Sequence, residues 1–206
     1  MYTEKNKTYK AIDVANYIVD SCDKDGHKIN NLKLQYILFL LQKIYLKETD
    51  YPLFFDDICA WSFGPCVPNV YYEFCAFAEQ GIRLFTPLKI EIKTDDRIII
   101  DDLLNYKRTL ESWQETPLHR EVCIKYGAWD QIYSEKGNRN IIPLDIIKQE
   151  PYMIGKSIIL DNYHPSGILA RDAVKSNVIY NEEYNYYYIG QNLKENSDIN
   201  IDDYEK

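Results

Sequence analysis

No basic run in this sequence exceeds two residues, and Asp and Glu (32) outnumber Lys and Arg (24), for a formal net charge of −8. A general nucleic-acid binder needs a basic face to displace counterions from phosphates, so this deficit counts against DNA, RNA and anionic membranes as partners. It favours a basic protein instead. Long apolar runs are also missing. The longest, residues 36–41 (YILFLL), is far short of the roughly 20 residues that span a bilayer. The first ten residues are polar and lack the apolar core of a signal peptide, which makes a cytoplasmic location the expectation. The five cysteines, Cys22, Cys59, Cys66, Cys75 and Cys123, are odd in number and never spaced as CxxC. Neither a disulfide framework nor a zinc site is suggested, and the thiols read as reduced, mostly buried small hydrophobes.

Catalytic patterns are equally scarce. There is no GxSxG nucleophile elbow, no GxGxxG or GxxxxGK[ST] phosphate loop and no HExxH. The three histidines, His27, His119 and His164, are far apart in the chain. The carboxylate pairs at 56–57, 95–96, 101–102 and 182–183 are explained by solvated charge or by helix starts. Cys66 has no basic neighbour in sequence to activate it, so packing is its expected role. No catalytic residue, metal ligand or cofactor site is assigned.

What the sequence does hold is tyrosine, 19 copies, several of them close to the C-terminus. Tyr offers contact area with a polar end, which suits binding surfaces. The periodicity predicts a mainly helical α+β chain, with an amphipathic helix over residues 9–22. A second helix, capped by Asn30 or Asn31, runs to about Lys47 and is apolar nearly all round, as a central buried helix would be. Gly64 and Pro65 predict a tight turn. Pro68 opens a third helix that ends before Gly81, with Val70, Tyr71, Phe74 and Phe77 as its stripe. Residues 88–93 alternate with period two and, with Ile98–Ile100, predict a β-hairpin around the turn at 94–97. Further helices are expected over about 102–114, 116–126 and 143–149. Residues 157–160 and 184–189 are strand-like, and the acidic end from 195 is expected to fray.

Three ordered motifs carry a resemblance to a known family. INNLKLQYIL at 29–38 resembles the I-x-N-L-K-L-Q-K-L-L-Y helix of the Panacea antitoxins, PLFFDDICAW at 52–61 their P-L-F-x-x-x-I-x-A-W, and FGPCVPNVY at 63–71 their Y-G-P-V-V-P-x-V-Y. Upstream, ANYI at 15–18 fits the opening helix. Downstream, GAWDQIY at 127–133 is similar to the P-W-x-x-A-Y ending, with Ala128 in place of proline. Tyr36 and Cys66 stand where the family usually has Lys and Val.

The resemblance implies a bacterial, often prophage-encoded domain over residues 1–155, followed by an extension over 156–206. It also implies a protein that binds and neutralises a co-encoded toxin, and is not an enzyme. A protease adaptor, which would also bind an ATP-dependent protease, or another prophage interaction protein is the second reading. A DNA-binding autoregulator is the third. Most of the motif residues are expected to fix the fold. Aromatics that dominate binding faces are the candidates for partner contact: Trp61, Phe63, Tyr71, Tyr72 and Trp129, with Tyr186, Tyr187 and Tyr188 near the C-terminus.

Overall fold

Helix α2 (Asn31–Thr49) is buried without a break from Leu34 to Lys43, as its apolar middle requires. The computed structural model of the chain describes residues 8–84, 91–109, 114–150, 152–155, 177–181 and 186–190. Two compact units divide them, one within residues 1–150 and one within 151–206.

In the first unit, α1 (Ala11–Lys24), α3 (Pro68–Glu73), α4 (Thr94–Thr109), α5 (Glu115–Val122) and α7 (Leu144–Gln149) pack against α2. Helix α6 (Ala128–Lys136) packs against α7 and a three-stranded antiparallel sheet. That sheet has the order β2 (Gly64–Cys66), β1 (Cys59–Trp61), β3 (Asn140–Ile141). The fold is mainly helical α+β, as the sequence pattern implies. Among the described residues no helix is long and apolar enough to cross a membrane.

Three amide side chains of α2, those of Asn31, Gln35 and Gln42, are buried, and each is matched to a backbone group. The Asn30 side chain caps the helix by accepting the Lys33 N–H at 2.9 Å. Asn31 donates to the Tyr71 carbonyl at 2.9 Å and also accepts from Gln35, whose own oxygen takes the Val67 N–H at 2.9 Å. One turn and more further on, Gln42 accepts from the Leu53 and Phe54 N–H groups and donates to the Phe54 carbonyl. An irregular segment lying against a buried helix needs such partners, because an orphaned backbone group there is costly. The N-L-K-L-Q motif therefore clamps Val67 and Tyr71, and Gln42, beyond it, clamps Leu53 and Phe54.

Three expectations are corrected. No hairpin spans 88–100: residues 91–93 are irregular, 88–90 lie outside the described residues, and Ile98–Ile100 belong to α4. Asp96, Ile100, Leu103, Leu104 and Lys107 are buried at spacings of three and four, so a helical stripe wins over the short alternation upstream. Asp95 and Asp96 open that helix, where acidic side chains are favoured. Gly64 and Pro65, in turn, are not a turn but strand β2; the turn is Ser62–Phe63, and proline is tolerated because β2 is an edge strand. The third helix is also shorter than expected, ending at Glu73 and followed by one 3₁₀ turn at Cys75–Phe77. Helix α6 was not foreseen as a helix.

Tyrosine hydroxyls tie α4 to its neighbours. Asp96 is buried and accepts from Tyr9 at 2.5 Å and from Tyr45 at 3.0 Å, while Asp101 accepts from Tyr17 at 2.8 Å. Burial, and then the bond to Asp96, pushes the Tyr9 hydroxyl up to about 12; burial and carboxylate bonds raise Tyr45 and Tyr17 as well. A group whose folded pKa is raised contributes stability that is complete below its unfolded value, about 10 for tyrosine, and is lost as pH rises through the folded value. Urea midpoints should therefore fall between pH 10 and 12, in step with tyrosinate absorbance. Tyr45→Phe should make that fall shallower.

The second unit is a three-stranded antiparallel sheet of order β4 (Tyr152–Gly155), β6 (Tyr186–Gly190), β5 (Asn177–Asn181). Strand β6 agrees with the strand expected over 184–189. The strand expected over 157–160 and the acidic end lie outside the described residues.

Candidate functional site

The β1–β2 hairpin has two unlike faces. Alternation along β1 sends Ala60 into the main core, while Cys59 and Trp61, with Cys66 of β2, form a separate cluster against Phe63 and Tyr71. Ile141 of β3 lies opposite Cys59 and is exposed.

Four of the aromatics singled out in the sequence meet here. Trp61 is at the centre, 6% exposed, with ring centroids of Phe63, Tyr71 and Tyr72 at 5.4, 5.1 and 5.8 Å. Phe63 and Tyr71 stack at 5.4 Å, and Tyr72 meets Tyr71 edge-on at 5.8 Å. These tilted and edge-on geometries are the ones aromatic quadrupoles favour. Tyr72 is 55% exposed, so the cluster runs from a buried centre to an open rim.

The hairpin is held firmly from behind. Tyr36, itself buried in α2, donates its hydroxyl to the Phe63 carbonyl at 2.6 Å. Trp129, stacked on Tyr133 at 4.9 Å, donates its indole N–H to the Trp61 carbonyl at 2.8 Å. Asn138 accepts the Ser62 N–H at 3.1 Å. Trp129 thus supports the face from the side, and Tyr36, which departs from the family pattern, is an internal anchor for it. Tyr186, Tyr187 and Tyr188 lie in β6 of the second unit.

Arg139 was not found by sequence reasoning. Its guanidinium carbon sits 4.9 Å from the centroid of the Trp61 ring, and its backbone N–H donates to the Ala60 carbonyl at 2.6 Å. Arg139 adopts a left-handed backbone, φ 69°, on the loop before β3, and nothing in the sequence marks it. The Trp61 indole N–H is buried and has no acceptor among the described residues.

Nucleophile chemistry finds little support nearby. Burial drives the Cys66 thiol well up, as it does Cys59, which the Asp57 charge raises further. All five cysteines are free; Cys75 is exposed and Cys123 half-buried. Among the described residues no His, Cys, Asp and Glu side chains are grouped so as to hold a metal ion.

The β1–β2 hairpin thus carries an aromatic cluster at the edge of a mainly helical α+β unit. Residues 34–205 match the family model for the antitoxin SocA-like, Panacea domain, and the chain belongs to that family. The match takes in the segment from 153 to 205, which the three sequence motifs do not reach. No curated protein and no solved structure matches the chain.

Proposed function

We propose that this chain is an antitoxin that neutralises a co-encoded toxin protein by stoichiometric binding rather than by turnover. Membership of the antitoxin family over residues 34–205 carries this reading. The aromatic face supports it: aromatic side chains dominate interface hot spots, and a face fixed before binding loses little entropy on docking. Trp61, Phe63, Tyr71 and Tyr72 are proposed as contacts, with Trp129 holding them in place. The segment over 156–206, including Tyr186, Tyr187 and Tyr188, is proposed to add affinity for the particular partner, although the family match runs through it to residue 205.

Co-expression with the product of the adjacent gene tests this. The expected result is that the neighbour alone stops growth, that this chain restores it, and that the two co-purify. Deleting residues 176–206 should then weaken rescue. A neighbour that is harmless, or rescue with no complex, would overturn the proposal.

A further inference from the structure

The stretch that builds the aromatic face has a charge pattern of its own. Residues 48–82 contain Glu48, Asp50, Asp56, Asp57, Glu73 and Glu79, and no Lys, Arg or His. These six account for most of the net charge of −8, leaving −2 for the rest of the chain. Asp50 is engaged with Lys148, and Asp56 with the Ala11 N–H at 2.7 Å and Asn69 at 3.2 Å. Asp57 precedes the hairpin and Glu73 follows Tyr72 directly; both are exposed.

The face also shows what it takes. Its central ring carries a guanidinium, that of Arg139, at 4.9 Å. A planar cation over an indole is the favoured pairing of these groups, and Arg suits it better than Lys because it stacks and is less strongly hydrated. Tyr72 offers a second, half-open ring in contact with Trp61, within a stretch whose charged groups are all acidic.

We infer that the aromatic face is a docking surface for an arginine-bearing segment of a partner protein, with guanidinium groups stacked on Tyr72 and Phe63 and balanced by Asp57 and Glu73. This rests on the antitoxin reading for the partner's identity, but the surface chemistry can be tested without that partner. The acidic charge of residues 48–82 disfavours a phosphate backbone as the occupant.

The test uses the full chain and a synthetic Arg-Ser repeat peptide, with Lys-Ser and Glu-Ser repeats as controls, titrated by calorimetry. The Arg peptide should bind more tightly than the Lys peptide, and the Glu peptide should not bind. Tyr72→Ala, which leaves the net charge unchanged, should weaken Arg-peptide binding about tenfold, while Tyr72→Phe should keep it. Circular dichroism confirms that these exposed-site variants are folded. Arg-peptide affinity that stays within about twofold in both Tyr72→Ala and Phe63→Ala would overturn the inference, since the attraction would then be to overall charge alone. Growth rescue that survives alongside such a result would leave the antitoxin reading standing. Tyr72-dependent peptide binding without any rescue would do the reverse.

Discussion

Replacing Lys43 by methionine is expected to cost about 3–5 kcal/mol of stability, because it strands a buried carboxylate. Lys43 lies in the middle of α2 and pairs with Glu150 at 2.7 Å, with side-chain exposures of 2% and 0%. Glu150 also accepts the Ala128 N–H at 2.6 Å through its other oxygen, at the start of α6. The carboxylate thus joins the central helix to the helix that carries Trp129, and through Trp129 to the carbonyl of Trp61. Gly127 shows how tightly this junction is packed: a Cβ there would lie 2.5 Å from an Ile124 carbon and 2.9 Å from the Glu150 carboxylate. Glu150→Gln should be similarly costly, since it leaves the ammonium buried without its counter-charge. The double variant Lys43→Met with Glu150→Gln should cost clearly less than the sum of the two single changes. Urea unfolding of the four proteins measures this. Single variants that each lose under about 1 kcal/mol would mean that the pair is not a structural tie.

Much of this framework was legible in the sequence, and the reasons are specific. The all-round apolar run of α2 can only be a buried helix, and Asn30 caps it as its residue type suggests. The proline at position 68 starts α3 at the expected place. By contrast, the alternation at 88–93 is only six residues long, whereas the stripe that places Ile98–Ile100 in α4 needs sixteen residues to be seen. The Lys43–Glu150 pair is separated by 107 positions, and no local pattern marks either partner. Ala128 illustrates the limit from the other side. The family pattern has proline there, and the reason this chain tolerates alanine is visible only in three dimensions: its N–H is used by Glu150. Of the site itself, the aromatic identities were readable, since four of the residues named from sequence share one cluster. Which face of the hairpin they occupy, and the cation lying on it, depend on register and on a left-handed residue that sequence does not announce.

The second large effect is expected at Gly64, the first residue of β2 and the one that closes the Ser62–Phe63 turn. Its φ of 122° is a conformation that side chains with a Cβ rarely adopt. A Cβ added there would also meet Tyr36 Cε1 at 2.8 Å and the Cys123 sulfur at 3.2 Å. Tyr36 has little room to retreat: it is 1% exposed, its hydroxyl is fixed on the Phe63 carbonyl at 2.6 Å, and its ring edge meets His119 at 5.8 Å. Backbone strain and overpacking each cost about 1–3 kcal/mol, so Gly64→Ala should lose about 2–6 kcal/mol. Gly26→Ala is the natural control. Gly26 also has a positive φ, 72°, but nothing lies within 4 Å of where its Cβ would be, so only a conformational cost of roughly 1 kcal/mol applies. If the two alanine variants unfold at the same urea midpoint, the steric half of this argument fails. The effect on function should exceed the effect on stability. Phe63 is held by the very tyrosine that must move, so a folded Gly64→Ala protein at low temperature should bind its partner less well than Gly26→Ala does. Tyr36→Leu in the Gly64→Ala background separates the two contributions. It relieves the contact with the ring but removes the hydroxyl that fixes Phe63, so stability should recover in part while partner binding does not.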